Sequence, residues 1–175
     1  MKRMDTSRIV TLGLLISLNI ILVRFASVRI SIGGVEGIRI GLGSFPVVFT
    51  GLFFGPLAGG IVGAIGDVLG FILNPMGLYM PHFTFSAAMT GIIPGLVLNL
   101  MGRERVTFSR LFLACGAGLF VTSIILVPLF LKILFGIPLW TTLPPRMISL
   151  CFTVPIYALF AYRIGKRVPS ALAEI

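Results

Sequence analysis

Six apolar runs, at roughly residues 8–25, 38–54, 56–73, 84–101, 110–135 and 146–164, leave this chain few ways to fold. Each has the length of a helix that crosses a hydrocarbon layer about 30 Å thick, a task that takes about 20 residues at the helical rise. No water reaches backbone N–H and C=O groups in such a layer, so the chain must satisfy them internally, as a helix does. The composition agrees. Hydrophobic residues make up 57% of the 175 and charged residues 11%, with a mean hydropathy of +1.11. Soluble domains carry only about 45–50% apolar residues. The expected fold is all-α, a polytopic membrane protein of six transmembrane helices. Because the spans consume nearly the whole chain, residues 1–175 are expected to form a single integral membrane domain.

The basic N-terminal residues MKRMDTSR precede an apolar stretch in the manner of a signal peptide. The run from Ile9 to Val23 leads into RFASVRIS without a small-residue cleavage site, so it is read as a retained first span. With the N-terminus inside, Lys2, Arg3, Arg8, Arg103, Arg105, Arg110, Arg163, Lys166 and Arg167 fall on the inner side. Arg24, Arg29, Arg39, Lys132 and Arg146 fall outside or near the outer ends. That bias favours an N-in, C-in orientation. The outer arginines are either snorkelling side chains or the lining of an anion site.

The net charge of +9 does not point to nucleic acid, because the basic residues are scattered between apolar runs and form no aromatic-interleaved patch. Cys115 and Cys151 each sit within an apolar run and read as small buried hydrophobes. One histidine, with no carboxylate pair and no His/Glu metal cluster, leaves little to run a reaction. No catalytic residue, metal site or cofactor is expected, and the chain is not read as an enzyme.

Against this background Asp67 stands out. It follows Pro56 by eleven residues, which places it about 16 Å along the third span and inside the hydrocarbon region. An ionised carboxylate there costs at least about 2.5 kcal/mol, so it should face the bundle interior and find a partner. That partner is either Arg39 or another outer arginine, as a structural ion pair, or the hydrogen-bond donors of a ligand. Just beyond it, NPMGLYMP breaks the helical pattern: Asn74 and Pro75 end the span, and Pro81 restarts the chain. Irregular backbone near a membrane survives where protein or a wet cavity surrounds it, so this loop is expected to roof a pocket. Tyr79, His82 and Phe83 offer flat faces and a polar edge, although aromatics at this depth also serve as interfacial anchors.

Other punctuation has structural readings. Gly55 should end the second helix and Pro56 open the third, and GPLAGGIVGAIG is a small-residue face suited to packing inside the bundle. Gly13 and Ser17, four apart on the first span with Asn19 nearby, permit close approach of another helix, internal or from a partner protein. Gly136-Ile137-Pro138 and Pro144-Pro145 suggest an outer loop between the fifth and sixth spans that acts as a second lid.

Residues 38–96 resemble the substrate-binding S components of energy-coupling factor (ECF) vitamin transporters, particularly the folate-specific group. The marks are Arg39, the spacing of Pro46 and Gly51, Gly55-Pro56, Asp67 with Gly70, and PMGLYMPHFTFSA from Pro75 to Ala87. The resemblance implies a six-helix protein in the cell membrane of a prokaryote. It would capture a vitamin from outside and deliver it by toppling while docked on a transmembrane coupling protein with two ATP-binding-cassette ATPases. The chain has no Gly-x-x-x-x-Gly-Lys-Ser/Thr loop, so ATP would be used by those partners. The family's docking face carries two alanines four apart on the first helix; Gly13 and Ser17 occupy the matching positions and depart from those letters.

Folate fits this reading chemically. A pterin presents an amino group and a ring N–H that a carboxylate accepts, and its glutamate tail is an anion suited to arginine. Asp67 is expected to read the pterin edge or orient a group that does, with Tyr79 and Phe83 walling the ring and Asn74 and His82 in the loop beside them. Arg24, Arg29, Arg39 and Arg146 are the candidates for the tail. The rivals are an S component for pantothenate or a hydroxymethylpyrimidine-type precursor, and a small membrane subunit that transports nothing.

Overall fold

The structure, a computed structural model, describes residues 6–25, 27–32, 35–73, 79–102 and 107–166, with the backbone alone for 24, 25, 27–32 and 35–40. Helix α1 spans Thr6–Phe25 and is followed by a hairpin of β1 (Ser27–Ile32) and β2 (Val35–Gly41). Then come α2 (Phe45–Phe54), α3 (Pro56–Leu73) and α4 (Pro81–Leu100). Helix α5 (Phe108–Phe120) continues through a π-helical turn at Val121–Leu126 into α6 (Val127–Phe135), and α7 (Leu139–Gly165) completes the bundle. Among the described residues five helical segments are long and apolar enough to cross a membrane, the α5–α6 segment counting as one. Large apolar side chains such as Leu14, Ile61, Leu69, Leu113 and Phe152 stand exposed on the outside of the bundle, a surface that suits lipid rather than water.

The all-helical membrane fold is as expected, with two departures. The second segment was expected to be helical from residue 38, but helix begins at Phe45, and residues 35–41 pair as a strand instead. The cause is local. VRISI and VEGIRI alternate apolar and polar residues with a period of two, and Gly33-Gly34 between them is a two-residue hairpin signal. The strands are antiparallel, with Arg29 opposite Arg39 and Ile30 opposite Ile38, and the register shifts so that Ser31 meets Glu36. Gly37 is thereby the extra residue of a bulge, a position where the missing side chain eases the bend. The second departure is at the last span, which starts at Leu139 rather than 146. Pro144 and Pro145 lie inside α7, so the expected second lid shrinks to the connection Gly136–Pro138. The hydroxyls of Thr141 and Thr142 donate to the carbonyls of Pro138 and Leu139 within the first turn.

Helix α2 explains how the short second pass is tolerated. Ten residues rise only about 15 Å, half the hydrocarbon thickness. All of Pro46 to Phe54 is buried, and α2 touches α1, α3, α4, α5 and α7. A helix apolar on every side belongs at the centre of a bundle. The extended chain leading into it therefore meets protein, and two buried side chains satisfy its carbonyls: Asn19 Nδ2 donates to Gly43 O at 2.8 Å and Tyr157 Oη to Gly41 O at 2.9 Å. At the other end Gly55, with φ of 100°, turns α2 into α3, and Pro56 opens the next helix as expected. Arg8 on α1 donates to the terminal Phe54 carbonyl at 3.0 Å, where a cation complements the helix dipole.

The tightest packing joins α3 to α4 and α2. A Cβ on Gly91 would strike the backbone of Gly59, and one on Gly63 would strike the Ala87 carbonyl. The small-residue face of α3 thus serves internal packing, as read from the sequence. On the opposite side of the bundle the core is aromatic: Phe45 lies 5.5 Å from Tyr157 and 5.7 Å from Phe49, centroid to centroid.

Candidate functional site

Asp67 sits half-buried on α3, the element whose glycines let α1 and α4 close around it. Its Oδ2 accepts a hydrogen bond from Thr84 Oγ1 at 2.7 Å, across from the first turn of α4. Thr84 Oγ1 also lies 3.0 Å from Tyr79 Oη. A threonine hydroxyl has one proton, and here it points at the carboxylate, so Tyr79 must donate to Thr84. The result is a directed chain, Tyr79 to Thr84 to Asp67, with the Tyr79 ring held 5.2 Å from Phe71. Asp67 Oδ1 is engaged by none of the described residues.

Beside this carboxylate lies a cavity of about 70 Å³. Asn19, Ile20 and Val23 of α1 form one wall, and Gly63, Gly66, Asp67 and Gly70 of α3 another. Ala87 and Thr90 of α4 complete it with Ser44 and Val47 at the start of α2. Asn19 is 5% exposed, and its amide is pinned by Gly43. A Cβ on Gly66 would clash with Asn19 Oδ1, so a larger residue there requires the pinned carboxamide to move. Thr90 Oγ1 is committed to the Ser86 carbonyl at 2.8 Å.

The structure brings Asp67 and Tyr79 together through Thr84, and sends His82 elsewhere. The His82 ring packs edge-on against Phe130 of α6 at 5.1 Å, tying α4 to α6 beside the loop. Phe83 is half-buried, with its N–H on the Met80 carbonyl. Arg146 is half-buried in α7 and is not among the cavity-lining residues. Asn74 and the side chains of Arg24, Arg29 and Arg39 lie outside the described residues, as does any pairing of Arg39 with Asp67. Gly13 and Ser17 stand exposed on α1, Ser17 Oγ bonding to the Gly13 carbonyl at 3.0 Å. A Cβ on Gly13 would meet nothing within 4 Å, so this small-residue pair is not used inside the bundle. Among the described residues no cluster of His, Cys, Asp or Glu forms a metal site.

Sequence reasoning passed over Asn19, Thr84 and Ser44 as site residues. Asn19 carried a usable signal, since a carboxamide in an apolar span is the same kind of anomaly as Asp67, only weaker. Thr84 and Ser44 carried none, because hydroxyls are ordinary in membrane helices.

Residues 3–168 match the family model described as ECF-type riboflavin transporter, S component. The folate transporter FolT of Clostridium novyi (strain NT) is 34% identical over 157 residues, covering 90% of this chain and 87% of that protein. A crystal structure of FolT bound with folic acid superposes with a TM-score of 0.76 and 28% identity, over 95% of each chain. The S component for biotin from an ECF-type ABC transporter matches with a TM-score of 0.70 over 98% of this chain and 99% of the other. At 16% identity that last likeness is one of fold alone.

Proposed function

Since the chain belongs to the S components of ECF-type transporters, we propose that the vitamin it captures is a folate and that Asp67 reads the pterin edge. The observation that carries this reading is the half-buried carboxylate at the cavity wall, with one oxygen held by Thr84 and the other engaged by no described residue. A pterin offers an amino group and a ring N–H side by side, two donors for one carboxylate. A flavin edge presents a single N–H between two carbonyl oxygens, which would turn acceptors toward Asp67. The folate names of the 34% identical relative and of the 28% identical structure support the same choice.

The cavity of about 70 Å³ is far smaller than the ~300–1,000 Å³ of sites that enclose whole small molecules, so it serves the polar end of the ring. The rest of the ligand extends toward the outer connections. There Tyr79 and Phe83 wall the ring, with Asn74 in the adjoining loop and His82 on the first turn of α4, and Arg24, Arg29, Arg39 and Arg146 attract the glutamate tail. The protein lies N-in, C-in in a prokaryotic cell membrane. It hands over its cargo by toppling on a transmembrane coupling protein with two ABC ATPases, which dock against the exposed Gly13–Ser17 face.

Thermal melting of detergent-purified protein with folic acid, riboflavin, biotin and pantothenate tests the substrate. Folic acid at about a hundredfold excess over its Kd should stabilise by about 2.7 kcal/mol. Stabilisation by riboflavin or biotin with none by folic acid would overturn the reading. Uptake by cells without the ATPases would remove the partner claim.

A further inference from the structure

Most donors on the wall beside Asp67 are committed within the protein. The Thr84 hydroxyl proton is given to Asp67, the Thr90 hydroxyl to the Ser86 carbonyl and one Asn19 N–H to the Gly43 carbonyl, while the Ser44 hydroxyl at the start of α2 makes no cap bond. That last bond settles the amide's orientation, because a backbone carbonyl accepts only, so Nδ2 faces Gly43 and Oδ1 faces Gly66 and the cavity. Asn19 Oδ1 makes no hydrogen bond among the described residues, although the side chain is 5% exposed. An acceptor that opens on the cavity in this way can take a donor from a ligand.

We infer that Asn19 is a second reading residue, whose Oδ1 acts with Asp67 as a pair of acceptors that selects ligands bearing a row of N–H donors. The inference rests on the folate reading and adds to it a specificity determinant on α1. It also gives Gly43 a role: the connection into α2 holds the carboxamide in its accepting orientation, so the recognition surface is complete only when that connection is seated. A ligand edge that alternates donors with carbonyls would leave Asn19 facing an acceptor, which is the worse case for a buried amide oxygen.

The test compares the affinities of folic acid and 2-desamino-folic acid, in which hydrogen replaces the amino group, by titration calorimetry. Wild type should prefer folic acid by about tenfold or more. Asn19→Ala should shrink that preference to a few-fold. Tyr157→Phe loosens the same connection at Gly41 without altering the acceptors at the cavity, so it should weaken both ligands equally and keep the wild-type preference. Equal weakening of both ligands by Asn19→Ala would show that Asn19 only positions the connection, and an unchanged preference would also overturn the inference. Collapse of the preference in Tyr157→Phe would do the same. If wild type binds no folic acid, the folate reading fails and this inference fails with it; binding with the preference indifferent to Asn19 sinks this inference alone.

Discussion

Replacing Gly66 by alanine should damage the site through a single methyl group. The new Cβ would clash with Asn19 Oδ1, so either α1 recedes from α3 or the carboxamide swings away. If it swings, the Gly43 carbonyl loses its donor, at about 1–3 kcal/mol for a buried group left unsatisfied. If α1 recedes instead, overpacking costs a similar ~1–3 kcal/mol. Alanine's better helix propensity returns about 1 kcal/mol. The net expectation is a loss of up to about 2 kcal/mol, with folic acid binding weakened about tenfold or more. Melting in detergent and calorimetry measure the two effects. Asn19→Ser shortens the side chain and vacates the contested volume, so Gly66→Ala should cost clearly less in that background, a coupling that a double-mutant cycle isolates. A stabilising Gly66→Ala, or an equal cost in both backgrounds, would refute the geometry of the α1–α3 contact.

Asp67→Asn turns one acceptor into a donor facing donors, and should weaken folic acid binding by about tenfold or more while the protein still melts cooperatively; unchanged affinity would end the pterin-reading role. Tyr157→Phe strands the Gly41 carbonyl at a residue 2% exposed, and should lower stability by about 1–3 kcal/mol, read by melting without ligand. Gly91→Val drives a side chain into the Gly59 backbone, which cannot rotate away, so loss of folded protein on size exclusion is expected, whereas Gly13→Val, with open space around it, should fold normally. That same Gly13→Val protein should bind folic acid like wild type but fail to support uptake when supplied with the coupling module.

Much of the fold was legible from the residues. The run from Pro56 to Leu73 and the Gly55-Pro56 turn were readable because proline at a helix start and glycine at its end have local causes. The hairpin was also written locally, in the alternation around Gly33-Gly34, but IRIG was absorbed into a neighbouring apolar run whose length looked like a span. Pro144-Pro145 misled in the opposite direction, since α7 runs through both of them. Asp67 announced itself because a carboxylate in hydrocarbon requires an explanation. Its partner Thr84 did not, being a common residue 17 positions away whose role depends on how α3 meets α4.

The sequence by itself determined that this chain crosses a membrane repeatedly, because apolar runs in a waterless layer must close their own backbone hydrogen bonds. It also determined that one of those crossings carries a charge in need of company. Only the tertiary structure decided that the short second helix is enclosed by its neighbours and that the chain entering it is sealed by protein. Non-helical backbone beside a membrane survives where neighbouring helices exclude lipid and side chains such as Asn19 and Tyr157, 24 and 116 residues distant from their acceptors, arrive to satisfy it.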